Sequence, residues 1–266
     1  MLMEKNKAEI RRERILELLD GLGSVSVSEF CAKLGCSEST MRNDLTYLES
    51  LGKLYRTFGG AVRVEKAPYI SIHNRKILYA QEKKEIAEYI VNHMIRSNDT
   101  IILDPGSTCA EIARAIVEGK IPVTIISSSL DIVNITSASE LVNVYCIGGF
   151  YNAQQGAFTG ESYRSALKDI HADIYFAGVT GIDKEGGITI PLGEEVNMKN
   201  LYAEVASKIC AVADFSKFGK ASPRKVLNHV DNVTIITDSS ISREYVEEMQ
   251  EAGYHILVAD GKKAEM

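Results

Sequence analysis

From Thr100 onward the chain repeats one unit, a short run of apolar and β-branched residues followed by a longer stretch with helical spacing. The runs are TIILD at 100–104, VTIIS at 123–127, VNVYCI at 142–147, DIYFAGV at 173–179, ICAVAD at 209–214, VTIITD at 233–238 and HILVAD at 255–260. Strands of this kind, separated by helices, pair mostly in parallel and are covered on both faces. The intervening helices are expected from Thr108 to Val117, Leu130 to Ile135, Tyr163 to Lys168, Glu195 to Ser207 and Arg243 to Glu251. The pattern predicts a Rossmann-like α/β domain over residues 81–266.

In an open sheet of this kind ligands sit beyond the carboxyl ends of the strands. Those ends are rich in small polar residues here. The first strand runs into Asp104, Pro105, Gly106, Ser107 and Thr108 and then a helix, so free amides and two hydroxyls face a positive helix end, which suits an anion. The second ends in Ser127, Ser128 and Ser129, and the third in Gly148 and Gly149, where backbone can approach a ligand closely. GVTGID at 178–183 brings Asp183, and ADFSKFG at 213–219 brings Lys217 as a counter-charge. Each loop alone reads more readily as turn chemistry; five on one side of one sheet favour a binding site.

The residues before this domain follow a different plan. Ile15, Leu18, Leu19 and Leu22 have helical spacing and give a first helix, over 8–22, its buried face. Ser26 stands three residues before Glu29, the capping-box spacing, and Gly35 ends the helix they start. Ser37 opens another helix that continues to Gly52. Met41, Leu45 and Leu48 form its buried stripe, leaving Ser39, Thr40, Arg42, Asn43 and Thr46 outward. Arg suits the major-groove edge of guanine, Asn that of adenine, and Ser and Thr suit phosphates. A Gly59-Gly60 hairpin follows, with Arg56 placed to flank a groove. This is the outline of a winged helix-turn-helix head over residues 1–64; a plain helical hairpin with a solvated polar face is the alternative. Residues 65–80 read as a linker, and Ile86, Ala87, Ile90, Val91 and Met94 line the next helix.

Charge and cysteine usage narrow the class. The chain has 266 residues and a net charge of −6, of which residues 1–66 carry +1 and the remaining 200 carry −7. A near-neutral head excludes a passive, charge-driven nucleic-acid binder, so affinity has to come from placed contacts and from dimerisation. Arg11, Arg12 and Arg14 suit either the flank of a groove or a solvated charge run. Five cysteines, at 31, 36, 109, 146 and 210, have no metal-ligand spacing and read as small buried hydrophobes in a reducing cytoplasm. No apolar run reaches eighteen residues, so neither a membrane span nor a signal peptide is expected.

The order SVSVSEFCAKLGCSESTMRNDLTYLESLGKLYRTFGGAV resembles the winged helix-turn-helix signature of the bacterial DeoR family of transcriptional regulators, in its recognition helix and its GGA wing. Asn43 stands where that family usually has a second Arg, which bears on operator sequence, and Phe58 where it usually has His, which suits packing of the wing. LDPGST, TIISSSL, CIGGF, GESYRSAL, DIYFAGVTGID and VADFSKFGK are similar to the effector domain of the same family, whose fold resembles ribose-5-phosphate isomerase and whose usual effectors are phosphorylated sugars. The resemblance implies that Gly106, Ser107 and Thr108 hold phosphate, that Ser127, Ser128 and Ser129 replace a Thr-Asn-Ser run, and that Asp183, Glu195, Lys199, Asp214 and Lys217 serve sugar hydroxyls or phosphate. It implies a cytoplasmic repressor of carbohydrate-metabolism genes, dimeric or tetrameric on double-stranded operator DNA, with no catalytic residue, cofactor or metal. Two other readings stay open. Proton transfer at a sugar carbon can be drawn with Asp183, Glu194 or Glu195 opposite Lys217, or a thiolate at Cys109 can act at its helix start. Alternatively the large domain serves only to oligomerise a DNA-binding head.

Overall fold

The computed structural model describes residues 7–50, 53–57, 59–62, 72–160, 163–191, 193–227 and 232–259. Gly52, Phe58, Arg63, the segment 65–71 of the expected linker and Asp260 lie outside the described residues, as does the Glu194 side chain. The chain divides into two compact units, Met1–Tyr79 and Ala80–Met266.

The first unit contains α1 (Lys7–Leu22), β1 (Ser24–Ser26), α2 (Val27–Leu34), α3 (Glu38–Ser50), β2 (Tyr55–Thr57), β3 (Gly60–Val62) and α4 (Ile72–Ile77), the last of these within the stretch read as linker. Its helix boundaries follow from side-chain chemistry. The Ser26 hydroxyl accepts from the Glu29 amide at 3.2 Å while the Ser26 amide donates to the Glu29 carboxylate at 2.9 Å, a complete capping box. Gly35 closes α2 in the left-handed region, its N–H donating to the Cys31 carbonyl. Ile15, Leu19, Phe30, Met41, Leu45 and Leu54 are fully buried together. Leu22, expected on that face, is 57% exposed, because α1 ends there and Gly23 turns the chain at positive φ.

The three strands pair antiparallel in the order β1-β3-β2, which joins the wing to the segment entering α2. Ser26 lies opposite Gly60, and the Val27 amide donates to the Gly59 carbonyl at 2.8 Å. A Cβ on Gly60 would stand 2.1 Å from the Val25 carbonyl oxygen, so only glycine permits this approach.

The second unit begins with α5 (Ala80–His93). It continues through β4 (Thr100–Leu103), α6 (Ser107–Glu118), β5 (Val123–Ser127), α7 (Leu130–Thr136), β6 (Val142–Cys146), β7 (Phe150–Asn152), β8 (Ala157–Thr159), α8 (Tyr163–Leu167) and β9 (Ala172–Gly178). Then come β10 (Gly181–Asp183), β11 (Gly187–Ile190), α9 (Gly193–Glu204), β12 (Ala206–Val212), β13 (Arg224–Lys225), β14 (Val233–Asp238), α10 (Arg243–Glu251) and β15 (His255–Ala259). All seven expected strands join one sheet in the order β15-β14-β12-β9-β4-β5-β6, and every pairing in it is parallel. One face packs Ile101, Leu103, Ile125 and Phe176 against α5, α6 and α7; the other packs Ile102, Ile126, Tyr175 and Ala211 against α8, α9 and α10. α9 stops at Glu204, short of the expected Ser207, because Ala206 already enters β12.

This order contains one reversal. From β4 the chain winds outward through β5 to β6, then returns to place β9 on the other side of β4. Open α/β sheets take their ligands at such a reversal, beyond the carboxyl ends of the strands. Two small antiparallel sheets, β7-β8 and β10-β11-β13, were not expected.

The Gly60 contact yields a test. Gly60→Ala should cost the head about 2 kcal/mol or more, as steric changes at special backbone sites do, whereas Gly59→Ala, with open space around its Cβ, should change stability by less than about 0.5 kcal/mol. Amide exchange across α2 and α3 in the two full-length variants measures both.

Candidate functional site

The outward face of α3 is built by its inward one. Asp44, 2% exposed, accepts from Arg11 Nε at 2.5 Å and Arg12 Nε at 2.8 Å, both on α1, and the Arg12 guanidinium also lies 3.7 Å from the centroid of the Tyr47 ring. The Asp44 carboxylate holds Arg11 firmly in its charged form. Arg11 and Arg12, which by charge suit either the flank of a groove or a solvated run, are thus a clamp that fixes α1 to α3. Sequence reasoning missed Asp44, although an Asp between Met41 and Leu48 on the apolar stripe is itself a signal.

Ser37, Ser39, Arg42, Asn43 and Thr46 are exposed, and Thr40 and Arg56 are half-buried. Ser37 and Thr40 form the N-cap of α3: the Thr40 amide donates to the Ser37 hydroxyl at 3.2 Å, and their hydroxyls lie 2.9 Å apart. Arg56 crosses from the wing, donating from Nη1 to the Thr46 hydroxyl at 2.7 Å, while its own amide donates to Glu49. Arg42 makes an exposed ion pair with Glu38 at 3.3 Å, one turn away. Such pairs are worth a few tenths of a kcal/mol, so Glu38 does not hold the guanidinium tightly.

In the second unit a buried polar cluster stands at the strand reversal. Asp104, immediately after β4, and Lys199, on α9, are almost wholly buried and form an ion pair. Lys199 also donates to the Gly178 carbonyl at 2.6 Å, and the Gly178 amide donates to Asp104 at 3.0 Å. One carboxylate and one ammonium thereby tie β4, β9 and α9 together where the sheet divides. The amino end of α6 opens beside them: Gly106 takes the N-cap position with no side-chain bond, and Ser107 and Thr108 follow, both buried. The first amides of such a helix have no intrahelical acceptor and attract an anion.

Ser127, Ser128 and Ser129 are buried at the same edge, with separate tasks. The Ser127 hydroxyl donates to the Leu103 carbonyl at 2.7 Å and accepts from the Ser129 amide, and Ser129 caps α7. Ser128 is left facing α9, 3.7 Å from the Met198 sulfur. Glu195, on α9, accepts from Gln155 of the β7-β8 connection at 3.1 Å; Gln155 was not foreseen, since only the fold brings the two together. Asp214 caps a 3-10 turn, Phe215–Lys217, and Lys217 Nζ stands 3.9 Å from its carboxylate. Asp238, at the end of β14, accepts from the Phe215 amide at 2.7 Å and holds this turn.

Three expectations change. The Asp183 carboxylate is engaged in the β10-β11 turn by the amides of Glu185 and Gly186, and its carbonyl accepts from Tyr254 in the turn entering β15, so it serves the hairpin. Gly148 and Gly149 are exposed, and the close approach that requires glycine at 149 is to the Thr159 carbonyl of β8, 2.3 Å from a notional Cβ. Cys109 is fully buried, its thiol donates to the Phe176 carbonyl, and burial drives its pKa upward, so it stays a neutral thiol. Cys210 is buried too, whereas Cys31 and Cys36 are half-buried and Cys146 is exposed.

The ion pair can be tested by removing one or both charges. Lys199→Met leaves a buried carboxylate without its ammonium and should destabilise the unit by about 3 kcal/mol or more, while Asp104→Asn combined with Lys199→Met should recover over half of that loss. Urea unfolding of the three proteins gives the comparison.

Among the described residues no helix is long and apolar enough to cross a membrane, and no group of three or more His, Cys, Asp or Glu side chains is arranged to hold a metal ion. Residues 11–67 match the DeoR-like helix-turn-helix domain and residues 79–239 the DeoR C terminal sensor domain. The chain is 31% identical over 251 residues, covering 93% of each protein, to one from Escherichia coli O157:H7 named for transcriptional repression of the aga operon. It is 29% identical to the HTH-type transcriptional regulator GolR of Listeria innocua, covering 94% of this chain and 98% of that one. Among solved structures, ribose 5-phosphate isomerase from Plasmodium falciparum aligns over 51% of this chain and 52% of that one, at 21% identity and a TM-score of 0.36. With its head and its α/β domain both matched, the chain belongs to the DeoR family of transcriptional regulators.

Proposed function

We propose that this regulator is a cytoplasmic repressor of carbohydrate-metabolism genes whose DNA binding is controlled by a phosphorylated sugar held at the β4/β9 reversal. The observation that carries the reading is the buried Asp104–Lys199 pair beside the uncapped start of α6, an electrostatically prepared crevice at the place where open α/β sheets take their ligands. In this reading the phosphate rests on the amides and hydroxyls of Gly106, Ser107 and Thr108, and Lys217 supplies a counter-charge at the mouth. Ser128, Glu195 and Lys199 face the sugar. The names of the relatives point the same way: one is named for the aga operon and another is the repressor GlcR of Bacillus subtilis, 28% identical over 255 residues.

Operator reading belongs to Arg42, Asn43 and Thr46 in the major groove, with Ser39 and Arg56 on phosphates. One head of near-neutral charge makes few phosphate contacts, so two heads on two half-sites supply the affinity, which makes the working form a homodimer or a tetramer. The sugar phosphate acts by binding the DNA-competent and DNA-incompetent arrangements with different affinity.

Fluorescence anisotropy on DNA from the upstream region of the protein's own gene, at fixed salt and with a panel of sugar phosphates, tests the whole reading. One compound should shift operator affinity about fivefold or more; a panel without effect on a tightly bound operator would overturn effector control. Arg42→Ala should weaken specific binding by about tenfold or more with unchanged unfolding, since a bidentate base contact is worth about 1–3 kcal/mol. Thr108→Val and Lys217→Ala should keep operator affinity and lose the response to the compound, and an intact response in both would remove the phosphate assignment.

A further inference from the structure

Three tyrosines crowd the sheet face beneath α9. Tyr175 on β9 lies opposite Ile102 of β4, and Asp104 is two residues further along the chain, just past the end of β4, on the same face. Tyr202 is three residues after Lys199, so α9 brings both side chains down on that face. The Tyr175 and Tyr202 rings are 5.3 Å apart at 57°, and Tyr163 of α8 stands edge-on to Tyr202 at 6.3 Å. The Asp104 carboxylate is close enough to raise the pKa of all three phenols, though burial is the larger cause.

Their hydroxyls differ in one respect. Tyr163 donates to the Phe158 carbonyl, whereas the fully buried hydroxyls of Tyr175 and Tyr202 meet no hydrogen-bond partner among the described residues. The Ser128 hydroxyl lies beside the Tyr163 and Tyr202 phenols, where it opposes the rise in their pKa, and it donates to the Met198 sulfur at 3.7 Å. A phenylalanine at either position would pack the same ring without burying an unsatisfied hydroxyl. Two such hydroxyls, next to each other and next to the Asp104–Lys199 pair, make sense where something polar enters to meet them. Both phenols are held neutral by burial, so each offers one donor and acceptor capacity, which matches an alcohol rather than a second anion.

We infer that Tyr175 and Tyr202, with Ser128, read the hydroxyls on the carbon chain of the effector and so decide which sugar phosphate the protein accepts. The inference rests on the sugar-phosphate reading of the site and divides its labour: the α6 amino end binds the anion common to all candidates, and the tyrosines select among them. A site built around hydrogen bonds to hydroxyls rejects a ligand that lacks them, because its own buried groups are then left unpaired.

The test is calorimetric titration of the full-length wild type, Tyr175→Phe, Tyr202→Phe and the double variant with aldose and ketose phosphates, their 2-deoxy counterparts and inorganic phosphate. Urea unfolding of each protein accompanies it. In the double variant the best sugar phosphate should bind about tenfold or more weakly, inorganic phosphate should stay within about twofold, and the unfolding midpoint should not fall. The preference for hydroxylated over deoxy compounds should shrink by a similar factor. Unchanged affinity for the sugar phosphate overturns the assignment and leaves the hydroxyls to buried water. Equal weakening of inorganic phosphate also overturns it, by showing a distorted pocket. A wild type that binds no sugar phosphate overturns the inference together with the reading beneath it, an outcome distinct from the other two because it appears before any substitution is made.

Discussion

An aspartate and a lysine that have both left water hold the effector domain in register at its weakest point. Where a doubly wound sheet reverses, the loops on either side part, and no crossover helix fills the gap. Here Asp104 of the β4 loop, Gly178 at the end of β9 and Lys199 of α9 close on one another through an ion pair and two backbone bonds. A buried pair of this kind gains little net free energy, since desolvation consumes most of the Coulomb attraction. Its value lies in geometry: one carboxylate and one ammonium tie three elements together, with the start of α6 beside them.

The surroundings follow from that choice. The strand face that carries Ile102, Ile126 and Tyr175 becomes polar one step later, at Asp104 and Ser128, because the pleat repeats every two residues. The apolar layer thus ends where the polar cluster begins. Ser127 and Ser129, on the alternate positions, are used up in fixing the loop, which leaves Ser128 as the hydroxyl that faces α9.

Much of this was legible in the residues. The seven parallel strands announce themselves because strands buried on both faces are apolar throughout, and the capping box at Ser26 and the glycine at 35 mark helix ends by chemistry that acts within four residues. Strands of three residues, such as β1, β7 and β10, carry no such period and were invisible. Of the candidate site, the places of Asp104, Thr108 and Ser128 at strand and helix ends could be read from the residues, and that of Lys199 from the family pattern alone. Asp183 misled because an Asp in a turn beside a glycine reads the same whether it waits for a ligand or caps the hairpin. Gln155, Tyr175 and Tyr202 gave no signal, since what distinguishes them is a partner, or the lack of one, contributed by residues tens of positions away.

The Asp44 clamp carries a consequence for how such regulators diversify. Each step along a helix turns about 100°, so Asp44 and Leu45 face α1 and the core while Arg42, Asn43 and Thr46 face outward. The anchoring positions and the outward ones occupy different sides of one helix and share no residue. The outward face is therefore a separable character: its positions can be rewritten, by gene duplication or by an engineer, with the scaffold that presents them left as it is.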